Sequence, residues 1–135
     1  MKSFTKLSLV GLLAVSALAF AAETLTVDKL VQKREDLDGK TVTVSGVVSN
    51  FSAKTSKAGN KYTTFTLKGS NTTLSAYTQG HIEKAPKNGD EVEITGIFRK
   101  EKVVNPDFTV KNEVDFTAKK DTKNGIKIVK RKDDK

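Results

Sequence analysis

The chain has 135 residues, 24 of them basic and 16 acidic, a net charge of +8 and no cysteine. The lack of thiols excludes disulfides, thiolate metal ligands, thiol nucleophiles and redox sensing, so a single domain must stand on its apolar core. With one histidine, His81, and no visible nucleophile–base pairing or phosphate-cradling glycine loop, neither an enzyme nor a bound metal or cofactor is expected.

Lys2 and Lys6 precede an uncharged run of 14 residues, 7–20, and Ala19-Phe20-Ala21 supplies the small-x-small pattern of a cleavage site. A helix that crosses a bilayer needs about 20 apolar residues. Residues 1–21 therefore read as a removed signal peptide, and the mature protein as periplasmic or secreted with no stable membrane span. Lipid attachment to cysteine is ruled out by composition.

Charge is unevenly spread. Residues 117–135 hold eight basic and three acidic side chains, whereas residues 22–116 hold 14 and 13. Basicity is a property of the tail, and the body is close to neutral.

Thr26 is a plausible N-cap for a short helix, with Asp28 near its positive end and Val27, Leu30 and Val31 on one face. Such a helix would cover one end of a small core. Thr41-Val42-Thr43-Val44-Ser45 alternates as a half-buried strand does, and Gly46 interrupts it before Val47-Val48. A glycine there marks a sharp bend. Residues 52–61 have loop composition. Residues 62–67 form a second strand with Phe65 and Leu67 inward and Tyr62, Thr64 and Thr66 outward. Residues 68–71 make a hairpin turn, and residues 73–77 a third strand with Leu74 and Ala76 inward and Ser75 and Tyr77 outward.

Residues 78–86 leave strand chemistry, and Asn88-Gly89-Asp90 turns into a fourth strand over 91–98. Glu91 and Glu93 fall on its outer side as solvated charges. Residues 99–107 read as a second polar loop. Residues 108–116 are the last strand, with Val110, Val114 and Phe116 facing the core. The tail has the charge density of a disordered or loosely docked segment. Its Ile126-Lys127-Ile128-Val129 is suited to a short added edge strand.

Residues 39–48, 59–67, 89–96 and 110–114 together resemble domains of the oligonucleotide/oligosaccharide-binding (OB) type found in tRNA-anticodon-binding and helicase proteins. The resemblance covers residues 41–116. It implies an all-β, five-stranded Greek-key barrel with the short N-terminal helix and the basic C-terminal tail appended. It also implies a ligand face on the second and third strands, flanked by the loops after the first and fourth. Carried onto this chain, the face holds Tyr62, Thr64, Thr66, Ser75 and Tyr77, with Phe51 at the root of the first loop. Lys54, Lys57 and Lys61 stand on one rim, and Arg99, Lys100 and Lys102 on the other. Tyrosine faces stack bases and cationic loops track phosphates, so single-stranded nucleic acid or another polyanion is the implied partner. The competing reading is an envelope structural or stress protein whose barrel meets proteins or small ligands. A further one confines anion contact to the tail.

Overall fold

The computed structural model describes residues 23–117 and 125–133; the signal peptide read at 1–21 lies outside the described residues. The elements in chain order are β1 (Thr24–Thr26), α1 (Val27–Gln32), α2 (Arg34–Leu37), β2 (Thr41–Thr55), β3 (Lys61–Lys68), β4 (Thr73–Gln79), β5 (Glu91–Asn105), β6 (Phe108–Asp115) and β7 (Ile126–Lys130). The fold is mostly β, as expected, but the strand count is seven rather than five. Strands β2, β3, β4, β6 and β5 pair in that order, and β5 returns to pair with β2, so these five close into a barrel-like ring. Every pairing in the ring is antiparallel except β4 with β6, where Ser75–Tyr77 runs parallel to Glu113–Asp115. β1 adds to β2 in parallel and β7 adds to β5 in antiparallel.

Closure depends on β2 serving two partners. Its residues Thr41 to Val47 pair with β5, and Val47 onward pairs with β3, so Val47 faces both Glu91 and Lys68. The bend expected at Gly46 falls where the partner changes. A Cβ there would sit 2.7 Å from Leu67 Cγ and 2.9 Å from the Lys68 carbonyl oxygen. The strand backbone can approach this closely only because position 46 has no side chain. A bulge between Ser49 and Ser52, with Asn50 at φ 53°, then turns the rest of β2 outward.

The inward residues follow the period-two pattern. Val44, Val48, Phe65, Leu67, Leu74, Ala76, Val92, Ile94, Phe98, Val114 and Phe116 fill the ring. Val110, expected in the core, is half-exposed. α1 closes one end, with Val27 and Leu30 fully buried and Thr26 Oγ1 accepting the Lys29 amide at 3.1 Å as its N-cap. Asp28 also reaches the β3–β4 turn. It accepts from the amides of Asn71 and Thr72 and from the Thr72 hydroxyl at 2.7 Å. The Thr72 hydroxyl bond, the largest cause, holds this carboxylate below its ordinary range against desolvation, with the amides adding to it.

Two loops expected from sequence turn out to be strand. β2 and β5 each run for 15 residues, so the turns shrink to residues 56–60 and Pro106-Asp107. β4 continues through Thr78, which is fully buried. Beyond the ring β5 and β6 form a projecting two-stranded arm. The edge strand expected at Ile126 is present as β7, where Lys127 stands opposite Glu93 and Lys130 opposite Glu91. The described part of the tail, residues 125–133, is docked on the ring. Asp90, 2% exposed, accepts from the amides of Lys132 (2.8 Å) and Lys87 (2.9 Å) and from Arg131 Nη1 (3.3 Å). Those two amide bonds are the largest cause of its lowered pKa, with the Arg131 charge adding to them and burial opposing.

Candidate nucleic-acid interface

Alternation along β3 and β4 places Tyr62, Thr64 and Thr66 beside Ser75 and Tyr77 on the outer face of the ring. Thr64 lies opposite Tyr77, and Thr66 opposite Ser75. The two phenol rings are neighbours, with centroids 6.1 Å apart and planes inclined by 32°. Both are half-buried. They form the floor of a groove of about 1290 Å³.

The β2–β3 hairpin bounds one end, with Lys54, Ser56 and Lys61, and the arm bounds the other, with Val104, Phe108 and Val110. Across the ring from β2 to β6 the surface changes character. Lys54 and Lys61 carry charges that no carboxylate pairs with among the described residues. Lys102 differs. Its Nζ lies 2.7 Å from Glu113 Oε1 and 4.5 Å from the centroid of the Tyr77 ring. Glu113 is 5% exposed, so this is a sheltered ion pair that also caps one face of Tyr77. Burial first, then the Asp115 charge, raises the Tyr77 phenol pKa above its usual value, while Lys102 pulls it down.

Eight of the twelve residues discussed for the face and its rims meet in this groove: Lys54, Lys61, Tyr62, Thr64, Thr66, Ser75, Tyr77 and Lys102. The other four lie elsewhere. Lys57 is exposed at the hairpin tip and outside the groove. Phe51 stacks on Phe65, with centroids 6.1 Å apart and planes 21° apart, and belongs to the margin of the core. Arg99 is exposed and outside the groove, although it stands across from Glu113 in the β5–β6 register. Lys100 is tied to the helical end of the ring, its Nζ 2.7 Å from Glu35 Oε2 and its amide donating to Asp38 Oδ1.

Phe108, Val104 and Glu113 belong to the groove and were missed. Phe108, 54% exposed, carried a detectable signal as an aromatic flanked by polar residues. Glu113 carried none, because its partner is distant in sequence. His81 Nε2 lies 2.8 Å from the Lys54 carbonyl oxygen and ties the β4–β5 connection to the cationic hairpin. Among the described residues no cluster of three or more His, Asp or Glu side chains could hold a metal ion, and no helix is long and apolar enough to cross a membrane.

Comparison with known sequence families and with curated proteins returns no match. Comparison with solved structures does. The chain is similar to a protein assigned as a nucleic acid-binding lipoprotein from Klebsiella pneumoniae, with a TM-score of 0.58 and 22% identity, over 85% of this chain and 97% of that one. It is also similar to a protein assigned as an aspartyl-tRNA synthetase from Leishmania major, with a TM-score of 0.56 and 18% identity, over 81% of this chain. The match spans about a fifth of the synthetase, 21% of its length. At these identities the likeness concerns the fold, and it supports the OB type read from the sequence.

Proposed function

We propose that the protein is an exported, non-enzymatic OB-type barrel that binds single-stranded nucleic acid in the groove over β3 and β4. The observation that carries this reading is the Tyr62–Tyr77 pair, laid side by side and half-exposed on the groove floor. Each stacked base on such a platform contributes about 1–3 kcal/mol, whatever the base. The two solved structures named above carry names tied to nucleic acids, one as a nucleic acid-binding lipoprotein and one as a tRNA synthetase. Export rests on the leader at 1–21 and on the lipoprotein neighbour. This chain lacks the cysteine that lipidation would use.

The affinity expected is modest. With two unpaired groove lysines as phosphate contacts, log K falls with log salt at a slope of about −1.4, using ~0.7 per contact for single strands. Fluorescence anisotropy with a labelled oligonucleotide at low and high salt tests the reading. Binding at low salt that weakens along that slope supports it, and no binding at low salt refutes it.

One observation favours the alternative, an envelope protein that contacts other proteins. Val103 is 69% exposed and Phe108 54% exposed on the projecting arm, next to a nearly neutral body. Co-purification of one specific envelope partner, lost in Val103→Ser plus Phe108→Ser, would select it.

A further inference from the structure

The groove is electrostatically one-sided, and that limits what can lie in it. At its β2–β3 end stand Lys54 and Lys61, both exposed and without an ion-pair partner among the described residues. At its β6 end stands Glu113, buried and joined to Lys102 at 2.7 Å. The tyrosines lie between, with Tyr62 opposite Gln79 near the lysines and Tyr77 beneath Lys102. A phosphate arriving at the lysine end meets uncompensated positive charge. One arriving at the far end meets a cation already consumed by a sheltered carboxylate. Drawing Lys102 away would leave Glu113 buried without a counter-charge, which is strongly unfavourable. The groove thus offers about two phosphate contacts at one end and none beyond Tyr77.

From this one-sidedness we infer that the site takes a short single-stranded oligonucleotide, or the end of a longer strand. Its terminal phosphate sits at Lys54 and Lys61, and its bases run over Tyr62 and up to Tyr77. This rests on the nucleic-acid reading above and restricts it: the protein holds ends rather than tracking along a backbone. Lys100 and Arg99 do not extend the track, since the first is paired with Glu35 and both lie outside the groove.

The test is competition anisotropy with unlabelled oligo(dT) of roughly two to fifteen nucleotides, a range chosen to bracket the usual OB site sizes. Each length carries a 5′-phosphate, a 3′-phosphate or neither. Affinity for the end-phosphorylated strands should level off beyond about four nucleotides, since an anchored end offers one register whatever the length. The salt slope should stay near −1.4 at every length that carries two or more phosphates. A phosphate at one of the two ends should tighten binding of the shortest strands roughly two- to fivefold, the effect of an exposed ion pair. Lys54→Ala plus Lys61→Ala should abolish that gain while leaving the circular dichroism spectrum unchanged.

A slope that steepens with length, or a terminal phosphate that has no effect at either end, overturns the end-binding inference and leaves strand binding standing. No competition by any strand at low salt overturns the nucleic-acid reading itself.

Discussion

Asp90 fastens the C-terminal strand to the ring, and Asp90→Asn should release it. The carboxylate is 2% exposed and takes three donors: the Lys87 amide, the Lys132 amide and the Arg131 guanidinium. An asparagine keeps one acceptor oxygen and places an amide donor against groups that are donors themselves. Oδ2 takes the Lys87 and Arg131 donors and Oδ1 takes the Lys132 amide, so an amide oxygen in the Oδ2 place keeps two bonds and loses the one to Lys132. At about 1.5–3 kcal/mol for a hydrogen bond to a charged group, a loss of that size follows. For a domain of this size that lowers Tm by roughly 10 °C. Thermal unfolding followed by circular dichroism measures the first effect. Hydrogen exchange measures the second: amides of Ile126–Lys130 should lose protection while those of β3 and β4 keep theirs. A Tm within about 1 °C of the parent protein, with β7 still protected, would refute the argument that Asp90 holds this end of the chain.

Acid should destabilise the fold for the same reason. Asp28 and Asp90 both have pKa values lowered below those of the unfolded chain, so their stabilisation is complete above the unfolded value of about 4. It is lost as pH falls through the folded values, and Tm measured from pH 6 downward should decline below about pH 4.5, less steeply in Asp90→Asn. Gly96→Ala should be among the most damaging single methyl additions. Its Cβ would lie 2.6 Å from the Asp115 carbonyl carbon and 2.8 Å from Phe116 Cα, both backbone atoms that cannot step aside. A cost of about 3 kcal/mol or failure to fold is expected in thermal melts. Lys100→Ala should leave oligonucleotide affinity within about twofold, since its ammonium is committed to Glu35 outside the groove, whereas Lys54→Ala plus Lys61→Ala should flatten the salt slope toward zero. Anisotropy titrations at several salt concentrations separate the two.

The sequence made the ring legible wherever one face of a strand is buried, because burial imposes the period-two pattern. Thr41 to Val48, Tyr62 to Leu67 and Thr73 to Tyr77 all show it, and Gly46 marked the bend because a strand switching partners leaves no room for a side chain. The pattern fails where strands leave the ring. Residues 52–55 and 99–105 are paired strand with both faces near solvent, so their composition is that of a loop. The tyrosine floor could be read from parity alone.

The ends of the groove could not. Nothing local distinguishes Lys102, paired to buried Glu113, from Lys100, paired to Glu35 at the other end of the ring; only the three-dimensional neighbours assign them. The docked tail was half-visible, as Ile126-Lys127-Ile128, while the carboxylate that secures it lies 36 residues upstream of Ile126.

Tyr62→Ala combined with Tyr77→Ala probes the claim that the groove binds single strands by stacking. Low-salt anisotropy with a short oligonucleotide should show affinity reduced at least tenfold, since each lost platform removes about 1 kcal/mol or more. Unchanged affinity in a variant that still folds would contradict the account.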